Sequence, residues 1–114
     1  TEAAYNVRFG MLIKTMSGVE LGGGASHTSE NAIEVITPQT IMQVEFTFHC
    51  YLLPGVYFLN AGVVGSLDGQ EGYLHRCIDA AMFRVQAETD LLATTIVDFH
   101  IQAKTIESPH LIEI

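Results

Sequence analysis

The chain has no tryptophan, only two cysteines and three prolines, and only five lysines plus arginines in 114 residues. Each shortage narrows what it can be. Cys50 and Cys77 are too few for a disulfide framework, and both lie in apolar stretches where a reduced thiol acts as a small hydrophobe, so a reducing compartment is expected. Thirteen Asp plus Glu against five cations leave a formal charge of −8. That balance argues against nucleic acid and against an anionic membrane surface, whose affinity comes from neutralising phosphates. No run reaches the roughly 20 apolar residues of a membrane-crossing helix, and Thr1-Glu2-Ala3-Ala4 lacks a basic start to an apolar leader, so a soluble chain is expected. Charged residues make up 16% and apolar ones 48%, the reverse of a disordered composition. One folded domain over residues 1–114 follows.

What the chain does have is alternation of period two. In residues 5–14, Tyr5, Val7, Phe9, Met11 and Ile13 face one way, and Asn6, Arg8, Gly10, Leu12 and Lys14 the other. Residues 41–50 alternate Met42, Val44, Phe46, Phe48 and Cys50 with Ile41, Gln43, Glu45, Thr47 and His49, and residues 94–103 set Thr95, Val97, Phe99 and Ile101 against Asp98, His100 and Gln102. All three read as half-buried strands. Residues 56–65 are apolar on both faces apart from Asn60, which predicts a central strand. Short strands are expected at 19–21, 33–36, 73–77 and 81–85, with a single helical turn at 87–92. Turn chemistry at Ser17-Gly18, Gly22-Gly23-Gly24, Pro54-Gly55 and Asp68-Gly69 separates these runs. The predicted class is all-β, an antiparallel sandwich of the immunoglobulin-like or jelly-roll kind.

Candidate chemistry is sparse. The triple glycine is followed by Ala25-Ser26-His27 with no lysine, so it is no phosphate loop, and a flexible turn is the expectation. His27, His49, His75, His100 and His110 show no tight metal-ligand spacing, and Cys50 and His49 point to opposite faces of their strand, so neither a metal centre nor a Cys-His pair is expected. No cofactor is implied. The polar sides of two predicted strands are more suggestive, because Gln43, Glu45 and His49 can align with Asp98, His100 and Gln102 across a sheet. Amide, carboxylate and imidazole groups at sheet spacing can hydrogen-bond sugar hydroxyls in pairs, although any wet sheet face is also polar. Without tryptophan the stacking rings would be tyrosines, with Tyr57 and Tyr73 the candidates.

Three ordered blocks carry a family resemblance. Residues 9–23, from Phe9-Gly10-Met11 through Ser17-Gly18-Val19 to Gly22-Gly23, resemble the opening strand, turn and strand of the carbohydrate-binding C-terminal domain of Wzt, the ATP-binding subunit of O-antigen ABC transporters. Leu53-Pro54-Gly55-Val56-Tyr57-Phe58-Leu59 with the preceding Phe46 and Phe48 is similar to that family's passage built on a Pro-Gly turn and a tyrosine. His75-Arg76-Cys77-Ile78-Asp79-Ala80 followed by Phe83 and Val85 is similar to its later strand pair.

The resemblance implies a non-catalytic immunoglobulin-like sandwich in the cytoplasm, at the inner face of the bacterial inner membrane. Such a domain binds lipid-linked O-polysaccharide so that the transporter, with its ATPase and membrane subunits, accepts the correct chain for export. It also implies a homodimer with a terminal strand exchanged between protomers, and the chain reads as lacking the family's opening strands. Residues 108–114, apolar beyond Pro109, fit the exchanged strand. The alternatives from other classes are a protein-interaction module using the same sheet face and a metal-dependent cupin-like enzyme.

Overall fold

The computed structural model describes residues 2–87 and 91–107. Their strands form one antiparallel sheet: β1 (Ala4–Thr15), β2 (Glu20–Ala25), β3 (Ile33–Ile36), β4 (Gly55–Leu67) and β5 (Gln70–Val85). β1 has β4 on one side, and β2 and β3 end to end on the other; β4 separates β1 from β5. The strand that is apolar on both faces is therefore interior, as its sequence requires. Two hairpins set the register. Asp68 and Gly69, both at positive φ (52° and 77°), make the two-residue turn whose twist matches that of β4 and β5. At the β1–β2 turn, the Gly18 amide donates to the Thr15 carbonyl (3.0 Å) and the Val19 amide to Thr15 Oγ1 (3.0 Å). The only helix among the described residues is one 3-10 turn, Ser29–Asn31, capped by Thr28.

Register sorts the side chains onto two faces. One carries Val7, Ile13 and Tyr57, which with Leu53 of the neighbouring loop are the buried apolar residues among those described. Tyr57 stacks on Phe83 (centroids 5.5 Å apart) and donates its hydroxyl to the Leu53 carbonyl at 2.5 Å. Burial and, after it, the nearby Cys50 hold its phenol above the usual tyrosine range. The opposite face carries Arg8, Gly10, Leu12 and Lys14 of β1, Phe58, Asn60, Gly62 and Val64 of β4, and Tyr73, Arg76 and Arg84 of β5.

The structure departs from the sequence expectations in five places. Residues 41–50 form no strand, although their alternation is among the most regular in the chain. Residues 94–103 form none either: Thr95 and His100 sit at positive φ (73° and 56°), which breaks extended backbone, and Asp98 Oδ1 accepts the His100 amide at 2.8 Å in an Asx turn. Among the described residues, backbone pairing in this region is confined to the bridge Leu52–Val97, just beyond residue 50, with Leu53 N to Ile96 O at 2.7 Å and Asp98 N to Tyr51 O at 2.5 Å.

The expected pair of short strands at 73–77 and 81–85 is one strand, β5, bulged at 78–80. The triple glycine is not a turn but lies within β2, where a Cβ at Gly23 would collide with the Met11 carbonyl. Of the helical turn at 87–92, Ala87, Leu91 and Leu92 are not helical, and 88–90 lie outside the described residues, as does the proposed exchange segment 108–114.

The all-β antiparallel class is as expected. Beside the sheet, residues 41–50 and 94–103 carry apolar side chains that stay in solvent: Ile41 is 95% exposed, Phe99 76% and Ile101 85%. The radius of gyration is 21.1 Å, against about 13 Å for a compact domain of this length. No helix among the described residues is long and apolar enough to cross a membrane.

Candidate functional site

The polar sheet face has a floor because two facing residues have no side chains. Gly10 of β1 lies opposite Gly62 of β4, opening a shallow groove of about 190 Å³ lined by Leu12, Asn60, Val64, Tyr73 and Arg76. Its wall depends on a break in the strand period. Val64 pairs with Tyr73 and Val63 with His75, so Leu74 is an extra residue, and Tyr73 and Arg76 come to the same face three positions apart. The Arg76 guanidinium then lies 5.1 Å from the Tyr73 ring centroid, within cation–π range. Tyr73 overhangs the floor closely enough that a Cβ on Gly62 would come within 3.4 Å of its ring.

The second irregularity in β5 shapes the far end. Asn60 Oδ1 accepts the Asp79 amide at 2.9 Å, holding Asp79 at φ 54°, and the Asp79 carboxylate meets Lys14 Nζ at 2.9 Å across the face. At the near end Arg8 pairs with Glu71 at 2.9 Å. Arg76 and Arg84 have no carboxylate within ion-pair distance among the described residues.

Of the residues singled out from sequence, Tyr73 belongs to this groove and is 64% exposed. Tyr57 does not serve as a stacking ring: it is 4% exposed, with a face against Phe83 and its hydroxyl engaged by Leu53. The pairing around Leu52 and Val97 brings His49 and His100 together through Tyr51, with His49 and Tyr51 rings parallel at 6.0 Å and Tyr51 and His100 edge to face at 4.8 Å. Asp98 adjoins them through the His100 amide. Gln43, Glu45 and Gln102 are exposed on segments whose pairing does not extend to them, so the expected row across a sheet is not assembled among the described residues.

Arg76, Asn60 and the two floor glycines escaped a reading based on strict alternation. The wet side of β1, with Arg8, Gly10 and Lys14, was the usable signal; the bulge at Leu74 concealed the β5 half. No group of three or more His, Cys, Asp or Glu side chains among the described residues is arranged to hold a metal ion. The groove offers an amide, a phenol and a guanidinium beside aliphatic surface, which suits binding of a polar ring rather than bond cleavage.

Among solved structures, the chain is similar to the crystal structure of the C-terminal domain of wzt, at 22% identity and a TM-score of 0.72, over 92% of this chain and 64% of that one. The shared property at that identity is the fold, and this chain spans less than two thirds of that structure. No curated protein matches the chain. Residues 1–99 match the family described as Wzt C-terminal domain, and with more than four-fifths of its length matched the chain belongs to the Wzt C-terminal domain family.

Proposed function

We propose that the chain is a non-catalytic carbohydrate-binding domain that recognises O-polysaccharide for an O-antigen ABC transporter, working in the cytoplasm at the inner face of the inner membrane beside the transporter's ATPase and membrane subunits. The observation that carries this reading is the groove between Gly10 and Gly62, walled by an exposed tyrosine, on the open polar face of a chain from this family. Sugar rings present C–H faces to aliphatic and aromatic surface and hydroxyls to paired donors and acceptors, and both kinds of surface meet there. Titration with purified O-polysaccharide of the source bacterium and with an unrelated one, followed by amide shifts, tests it. Selective shifts at Gly62 and Tyr73 are the expected result; equal or absent binding of both polymers overturns the reading.

The working unit in this proposal is a homodimer. Residues 41–50 and 94–103 alternate as strands do yet, apart from the Leu52–Val97 bridge, have no strand partner among the described residues, and their exposed apolar positions would be covered by the same segments of a second copy, completing the second layer of the expected sandwich. Exchange of residues 108–114 is a further part of this proposal. Completed pairing would also carry Gln43, Glu45 and Gln102 into line with His49, Asp98 and His100, extending the sugar surface. Sedimentation equilibrium is expected to give twice the protomer mass at micromolar concentration, and a monomer would remove this part. The same exposed apolar residues favour the second reading, a protein-interaction module, which a co-purifying protein partner without glycan retention would support.

A further inference from the structure

Four of the five lysines and arginines of this acidic chain, Arg8, Lys14, Arg76 and Arg84, project from the polar sheet face. Two of them are neutralised at the ends of the groove, Arg8 by Glu71 and Lys14 by Asp79. Arg76 at its centre has no carboxylate within ion-pair distance among the described residues. Its guanidinium carbon lies over the Tyr73 ring, 5.1 Å from the centroid, a cation–π contact that positions the guanidinium without using its N–H donors. A guanidinium held in this way matches a carboxylate in a bidentate pair. Its neighbours are the glycine floor, Leu12 and Val64, against which the C–H face of a pyranose can lie, and Asn60, whose Oδ1 is engaged by Asp79 and whose Nδ2 protons have no partner among the described residues.

We propose that this groove is specific for an anionic sugar, a pyranose bearing a carboxylate, with the ring on the Gly10–Gly62 floor and the carboxylate on Arg76. This deepens the polysaccharide-binding reading and rests on it. The volume of about 190 Å³ is below the roughly 300–1,000 Å³ of pockets that enclose drug-sized ligands, so the groove takes one ring of a polymer at a time. The surrounding negative charge acts as a filter: polyanions are repelled by the −8 chain, whereas a single carboxylate set into a longer, mostly neutral repeat reaches Arg76 in the groove.

The test titrates the full chain with methyl glucuronopyranoside, which carries one carboxylate on one ring, with its methyl ester and with inorganic phosphate, reading amide shifts. The acid is expected to shift Gly10, Gly62 and Arg76 and to bind roughly tenfold or more tightly than the ester, with the preference falling as salt is raised. Arg76→Gln should abolish the preference while leaving ester binding unchanged, and Arg76→Lys should restore only part of it, because an ammonium cannot form the fork. Gly10→Ala adds a Cβ whose nearest neighbour is the Gly24 carbonyl oxygen at 3.8 Å, an ordinary contact; it should fold normally and weaken both sugars by raising the floor. Equal binding of acid and ester, an unchanged preference in Arg76→Gln, or phosphate binding as tightly as the acid overturns the inference. If the source O-polysaccharide binds while the acid does not, the inference fails and the polysaccharide reading stands. If the acid binds at Arg76 but the O-polysaccharide does not, the transport-linked reading fails instead.

Discussion

Tyr57→Ala is expected to lower folding stability by about 3–5 kcal/mol, the usual loss when a large buried aromatic is truncated. Three features make this residue costly to remove. It is one of only four buried apolar residues among those described, its ring stacks on Phe83 of β5, and its hydroxyl ties the sheet to Leu53. Leu53 in turn donates its amide to Ile96 at 2.7 Å, so the same ring anchors the 91–107 segment to β4. Total stability for a domain is about 5–15 kcal/mol, so this variant should be largely unfolded or reduced to the β1–β4–β5 sheet. Denaturant unfolding at fixed protein concentration measures the loss, with concentration controlled because association contributes. A loss under about 1 kcal/mol would show that Tyr57 is not the core residue assigned here.

Tyr57→Phe separates the ring from its hydroxyl. It should cost about 1–3 kcal/mol, because the Leu53 carbonyl loses its donor, and should speed exchange of the Leu53 and Asp98 amides. The hydroxyl also sets an alkaline limit. A phenol whose folded pKa lies above its unfolded value of 10.0 keeps its proton more firmly in the folded state. The contribution is therefore complete below pH 10 and is lost as pH rises through the folded pKa. Wild type should show a stability decline above pH 10 that is smaller in Tyr57→Phe.

The second large effect is expected at Gly23. β2 runs so close to β1 that a side chain there would collide with the Met11 carbonyl oxygen and approach the Leu12 Cα to 3.3 Å. These neighbours are backbone and cannot swing aside as a side chain tip would. Gly23→Val should cost about 1–3 kcal/mol, the range for forced overpacking, and should release the β2 amides to hydrogen exchange while leaving β4 and β5 protected. Gly24→Ala, where a Cβ meets nothing within 4 Å, is the matched control. Equal losses in the two variants would contradict the close approach.

The antiparallel class, the central place of β4 and the Asp68-Gly69 hairpin were legible because each is a local signal: period two, apolarity on both faces, and a dipeptide suited to positive φ. The family blocks added the resemblance that the match over residues 1–99 supports. Alternation failed where the backbone loses count. Leu74 shifts the parity of β5 and Asp79 bulges it, so Arg76 stands beside Tyr73 although period two would place them on opposite faces. It also failed at Tyr57, because alternation places a ring on a face without stating what covers that face.

Residues 41–50 show the remaining boundary between chain and fold. Their side chains alternate as a strand requires, but a strand exists only when another backbone pairs with it, and among the described residues none does. The sequence by itself determined which stretches can extend, which of their sides is apolar and where the chain reverses, since these depend on neighbours a few residues apart. Only the tertiary structure decided which extended stretches are paired, which tyrosine is buried and which arginines meet a carboxylate among the described residues, because those outcomes depend on groups distant in sequence arriving at the same place.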